Sequence, residues 1–125
     1  MLNLGSNKIT KIENLVSLHN LNYLDLYDNQ IGEIGELNKI PTLKNLILGK
    51  NLIKRIKNLD NLPNLNGLDL HTNHISWIEN VNHLEQIKLL NLSNNNISVI
   101  ENLKGLSNMT ELNLNKNWIE AIQGL

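Results

Sequence analysis

The chain has 125 residues, with 11 basic and 12 acidic side chains, two Pro, no Phe and no Cys. That length suits one domain with a sizeable core. The near balance of charge argues against nucleic acid or a membrane surface as partner, and the lack of Cys excludes a disulfide scaffold, a zinc finger and a cysteine nucleophile.

Leu, Ile and Asn supply 26, 15 and 25 residues, more than half the chain. Such bias points to a repeat. The repeat has a period of 22 and aligns on Leu21, Leu43, Leu65, Ile87 and Met109, taken as position 1. Position 4 is Leu2, Leu24, Leu46, Leu68, Leu90 and Leu112; position 6 is Leu4, Leu26, Leu48, Leu70, Leu92 and Leu114. Position 11 is Ile in all six copies, from Ile9 to Ile119, and position 14 is Ile from Ile12 to Ile122. Position 17 runs from Leu15 to Leu125 with Val81 as its one variant, and position 20 is Leu or Ile from Leu18 to Leu106. The units are 1–20 (partial), 21–42, 43–64, 65–86, 87–108 and 109–125 (partial), about five and a half repeats in a single domain.

Each unit opens with a strand. Leu at positions 4 and 6 alternate, so both point to one face. Strands stacked at about 4.8 Å make a six-stranded parallel sheet roughly 25–30 Å long. A turn follows, marked by Asn at position 9: Asn7, Asn29, Asn51, Asn73, Asn95 and Asn117. A buried Asn amide offers donors and an acceptor to backbone groups that the turn leaves unpaired. The six are expected to form a structural ladder. The return segment carries apolar residues at every third position, which suits 3₁₀-like or extended chain and leaves little room for an α-helix.

No capping unit is evident at either end. Leu2, Leu4, Ile9, Ile12 and Leu15 are expected to form one exposed apolar end, and Leu112, Leu114, Ile119 and Ile122 the other. Such ends would continue into further repeats or pair with another copy. Met1 to Gly5 lacks the charged start and apolar run of a signal peptide. No apolar run approaches the length that spans a bilayer.

Function in such a coil resides at the outward positions of the sheet. There the copies differ. Tyr23, Asp25 and Tyr27 lie on one strand, Ile47 on the next, Asp69 and His71 on the one after, and Glu111 further along. Gly49 and Gly67 leave room between the larger groups. An aromatic and aliphatic centre flanked by acids fits a protein-binding surface. Trp77 and Trp118 fall in the turns beyond the sheet. Trp77 is expected to neighbour Arg55 and Val99, either shielding the edge of the core or extending a contact patch with Leu52 and His74.

The chemistry of catalysis is missing. Asp25 and Asp69 stand two strands apart, roughly 9–10 Å, too far to share a proton, and an open sheet excludes no water. Asp69 and His71 share a face, but His74 lies past the turn, so no metal site is expected. No cofactor motif is present. The three sequons headed by Asn91, Asn96 and Asn108 are close to what chance gives in so Asn-rich a chain.

The unit resembles the leucine-rich repeat. That resemblance implies an α/β right-handed solenoid, with the parallel sheet on its concave face and 3₁₀ or extended return segments on its convex face. The segments Ile12-Glu13-Asn14-Leu15 and Ile100-Glu101-Asn102-Leu103, with Leu46-Ile47-Leu48-Gly49-Lys50-Asn51, further resemble the leucine-rich-repeat regulatory subunit of type 1 protein phosphatase. This second resemblance implies an intracellular scaffold, cytoplasmic or nuclear, that holds the phosphatase catalytic subunit through Asp25, Ile47, Asp69 and Glu111, with Tyr23 and Tyr27 nearby. Dynein-associated light chains and the spliceosomal A-prime protein share the same subfamily. Bacterial internalin-type adhesins also use 22-residue repeats but favour Asp-Ile-x-Pro-Leu, where this chain carries Glu, Asn or Gly and no Pro.

Overall fold

In the computed structural model, which describes residues 1–35 and 37–124, the chain winds as a solenoid of parallel strands. The strands are β1 Leu2–Asn3, β2 Tyr23–Asp25, β3 Asn45–Ile47, β4 Gly67–Asp69, β5 Leu89–Asn91, β6 Val99–Ile100, β7 Glu111–Asn113 and β8 Ala121–Ile122. One sheet runs in the order β1-β2-β3-β4-β5-β7. Its register steps by one whole repeat each time: Leu2 faces Leu24, Leu24 faces Leu46, and so on to Leu90 and Leu112. Each strand therefore buries the same Leu column. Leu24, Leu46, Leu68 and Leu90 are wholly buried, as are Ile31, Ile53, Ile75 and Ile97 behind them.

The return segments follow the three-residue spacing. In four of the five coils that reach position 20, its N–H donates to the position-17 carbonyl, as in Ile40 to Leu37 at 2.9 Å and Leu84 to Val81 at 2.9 Å. The position-1 N–H then donates to the position-20 carbonyl, as in Ile87 to Leu84 at 3.1 Å. These bonds to the residue three back are 3₁₀ bonds. They turn the same side inward at every third residue. The one regular helix among the described residues is the 3₁₀ turn Leu37–Lys39. A second pairing, β6 with β8, sets Val99 against Ala121 and Ile100 against Ile122 on the far side of the Asn turn. The 22-residue pattern gives no hint of this pair, because its outward positions carry no alternation.

The asparagine ladder forms. Asn51 shares its amide hydrogens among the Leu48 and Gly49 carbonyls of its own coil, at 3.1 and 3.2 Å, and the Leu26 carbonyl of the coil before, at 3.0 Å. Its oxygen accepts the Ile31 N–H at 3.0 Å. Asn29, Asn73, Asn95 and Asn117 repeat the same set. The Asn7 side chain bonds only within its own coil, to the Leu4 and Gly5 carbonyls at 2.9 and 3.1 Å.

A second asparagine column was not foreseen. At position 16, Asn14, Asn58, Asn80 and Asn102 hold φ of 62, 61, 57 and 60°, and Gly124 holds 64°. Asn tolerates this left-handed region better than most residues. Asn58, Asn80 and Asn102 also donate to the Ile34, Ile56 and Ile78 carbonyls of the preceding coil at 2.7–2.8 Å. The Asn of the Ile-Glu-Asn-Leu segments is thus set by turn geometry. Position 8 is left-handed too, at Ser6, Asp28, Lys50, Thr72, Asn94 and Lys116, although four of these six are not Asn or Asp.

The ends differ from expectation. Ile12 is buried, and Leu2, Leu4, Ile9 and Leu15 are half-buried against the core. Leu112, Leu114 and Ile119 are half-buried likewise, while Ile122 is exposed. Each end coil packs these side chains against the core on one side, so one flank of each is covered. Leu125, the last position-17 residue, lies outside the described residues.

Candidate functional site

The outward side chains of the sheet stand in columns, because every strand pairs in the same register. Position 5 forms the middle column: Asn3, Asp25, Ile47, Asp69, Asn91 and Asn113. Five of these six have a structural task that the sequence reading missed. Their Oδ1 accepts the N–H two residues on: Gly5 at 3.0 Å, Tyr27 at 2.9 Å, His71 at 3.0 Å, Ser93 at 3.1 Å and Asn115 at 3.0 Å. This is the Asx-turn, which closes each strand into its turn. The recurrence of Asp or Asn at one position was the available signal. Asp25 and Asp69 therefore serve the fold first. What they add over Asn is charge. Ile47 alone makes no such bond and leaves an apolar side chain on the face.

Tyr27, Asp69 and His71 come together across three coils. The His71 ring lies above Gly49, where an added Cβ would sit 2.3 Å from its Cε1. Only Gly leaves that space. The ring stacks on Tyr27 with centroids 5.7 Å apart and planes 22° apart. Its Nδ1 meets Asp69 Oδ1 at 2.6 Å. A carboxylate only accepts, so Nδ1 carries the proton and Nε2 faces away from the acid. Asp69 thus binds both the backbone and the ring of the residue it orients. The result is a rigid aromatic platform, with Tyr27 still 37% exposed.

Gly67 makes the second feature. It floors an open hollow of about 460 Å³ on the same face, with Ile47, Asp69, Leu89, Lys88 and Glu111 around it. Asn45 Oδ1 leans over the glycine, 2.6 Å from where a Cβ would stand. Leu89, on the strand next to the sheet edge, is 38% exposed. Leu89, Lys88 and Asn45 were not singled out from sequence, although a Leu at an outward strand position is itself a signal. Of the candidate residues, Asp69 belongs to both features, Ile47 and Glu111 to the hollow, and Tyr27 and His71 to the platform. Tyr23 and Asp25 lie on β2 beside Asn45 and Ile47.

Trp77 and Trp118 are 59% and 71% exposed. Most of each ring thus faces solvent, beside the wholly buried Ile78 in the case of Trp77. Asp28 and Glu33 are held below the usual carboxylate range, by hydrogen bonds from Lys50 and Lys57. Among the described residues, no three His, Asp or Glu side chains are grouped to hold a metal. Among the same residues, no helix is long and apolar enough to cross a membrane.

Three comparisons bear on kinship. Comparison with curated proteins gives no match. Among solved structures, an internalin of Listeria monocytogenes superposes with a TM-score of 0.82 at 28% identity, over 97% of this chain and 40% of that one. A leucine-rich-repeat protein of Leptospira interrogans superposes with a TM-score of 0.88 at 30% identity, over 98% of this chain and 32% of that one. A second Listeria internalin, InlJ, shares the fold at a TM-score of 0.74 and 23% identity, over 93% of this chain and 27% of that one. The chain thus spans well under half of each of these proteins. The family model for leucine-rich repeats matches residues 1–39 and 85–125, which is more than half the chain. With the 22-residue register and the asparagine ladder in place, the chain belongs to the leucine-rich-repeat family.

Proposed function

We propose that this chain is a non-enzymatic scaffold that grips a partner protein on the concave face of its sheet. The observation that carries the reading is the platform of Tyr27, His71 and Asp69, held rigid before any partner arrives. Preorganised aromatic groups bind with little loss of side-chain freedom. Ile47 and Leu89 add apolar area on the same open face. The family is one of binding scaffolds, which supports the same reading.

A finer reading takes the partner to be the catalytic subunit of a type 1 protein phosphatase, inside the cell. Its support is the likeness of the Ile-Glu-Asn-Leu and Leu-Ile-Leu-Gly-Lys-Asn segments to that regulatory subunit. The left-handed turn at Asn58, Asn80 and Asn102 supplies another cause for part of that likeness. The internalin neighbours support a peptide- or protein-binding solenoid without naming this partner.

Affinity capture tests both. Intact protein is compared with a Tyr23→Ala/Tyr27→Ala/Asp69→Ala variant, with the purified phosphatase subunit as one ligand. Loss at true hot spots is about 2 kcal/mol or more each. If intact protein and variant retain the same proteins equally, the sheet-face reading fails. If a partner is lost on the variant but the phosphatase subunit binds neither, only the finer reading fails.

A further inference from the structure

We infer that the hollow over Gly67 is a seat for one basic side chain, arginine or lysine, of the partner protein. This rests on the sheet-face reading and specifies its chemistry. The hollow has an apolar flank and a polar rim. Ile47 on β3 and Leu89 on β5 stand on either side of β4, and Gly67 between them offers no side chain. That arrangement fits an aliphatic stem, which buries its methylenes along apolar surface and keeps its charged head among polar groups.

The rim supplies the acceptors. Asp69 spends Oδ1 on the His71 N–H and ring, and its Oδ2 takes no hydrogen bond among the described residues. The Glu111 side chain and Asn45 Oδ1 likewise have no hydrogen-bond partner there. Two carboxylates and an amide oxygen face a single cation, Lys88, which stands at the entry end of its strand. Asp69 lies three residues further along its own strand, roughly 10 Å away. The rim is thus acidic in balance, in a chain that is close to neutral as a whole. A guanidinium has five donors and no acceptor, and an ammonium three. Either head matches acceptors spread around a stem-lined floor. A bare metal ion does not, since no three ligating side chains converge. An acidic side chain would meet two like charges.

Selection from a random-peptide display library on the intact protein tests this. The selected peptides are expected to share one Arg or Lys at a fixed place. A synthetic copy of such a peptide should bind Glu111→Gln roughly two- to fivefold more weakly, in line with one partly exposed ion pair. Lys88→Gln should bind it more tightly, because the competing cation is gone. Both substitutions are at exposed residues without side-chain bonds, so the fold is not at stake. Backbone amide shifts at Gly67 and Leu89 should move on titration. Selected peptides that share no basic residue overturn the proposal, as does binding indifferent to both substitutions. If such peptides still lose affinity on Tyr27→Ala, the sheet-face reading stands without the hollow. If no peptide is selected, or none responds to Tyr27→Ala either, both fail.

Discussion

Two asparagine columns mark this coil, one at all six copies of position 9 and one at four of the six copies of position 16, and they use the same side chain for different reasons. At position 9 the residue is buried: Asn29, Asn51, Asn73 and Asn95 are 4–7% exposed. Its amide serves four backbone groups at once, three carbonyls and one N–H, in two coils. At position 16 the residue is exposed, holds a left-handed backbone and, from Asn58 on, donates to one carbonyl of the preceding coil. The first column is chosen for its amide, the second for its backbone tolerance with one donor besides. Residue identity alone does not separate these causes. Burial and φ do.

The largest expected effect tests the first column. Asn73→Leu puts an apolar side chain in a buried polar slot, takes one of two donors from each of the Leu48, Leu70 and His71 carbonyls, and leaves the Ile53 N–H without its acceptor. A loss of about 1–3 kcal/mol is expected, chiefly from the buried N–H left unpaired. Denaturant unfolding measures it. An unchanged midpoint would refute the claim that the amide is what position 9 requires.

The second column should respond to backbone preference. Asn80→Ala loses the bond to the Ile56 carbonyl and forces Ala to φ near 57°, for about 1–2 kcal/mol. Asn80→Gly loses the same bond without the strain, for under about 1 kcal/mol. Gly should therefore outperform Ala here, and should not do so at Asn73, where φ is not left-handed. The natural Gly124 in the same register at φ 64° is the chain's own version of that substitution. If Ala equals Gly at residue 80, the backbone account of this column is wrong.

The legibility of the fold follows from the same contrast. The sheet, its register and the first ladder could be read from sequence, because inward Leu, Ile and Asn recur without a break and each has one dominant physical reason. Position 16 was harder. Asn there looked like part of a family signature, since a left-handed φ leaves no mark in hydrophobic patterning. The site was legible only in part. Tyr27, Asp69 and His71 could be placed on one face by counting, but not the reach of His71 over Gly49 to Tyr27, which depends on a side-chain path across two coils. Taken alone, Asp25 and Asp69 look like charges offered to a partner. Their turn-closing bonds became visible only beside Asn3, Asn91 and Asn113 doing the same thing. The hollow depends on a missing side chain at Gly67 and an outward Leu89, neither of which stands out in a Leu-rich chain.

The smallest expected effect separates distance from desolvation. Lys57 and Asn58 are chain neighbours, and both reach back 24 residues to the preceding coil. Lys57 pairs with the Glu33 carboxylate at 2.9 Å in the open, and Asn58 donates to the Ile34 carbonyl at 2.7 Å, in a partly buried bond. The lysine holds the Glu33 carboxyl below its usual range. Its contribution is therefore present above the ordinary carboxylate pKa and is lost as pH falls through the lowered value. Water and salt screen so exposed a pair, so Lys57→Gln should leave the melting temperature near neutral pH unchanged. Asn58→Ala should lower it, because a backbone carbonyl loses its donor and a left-handed residue is strained. Thermal melts of the two variants at low and high salt decide the matter. If Lys57→Gln proved the more damaging, cross-coil charge would be what ties these repeats together, and the asparagine columns would be secondary.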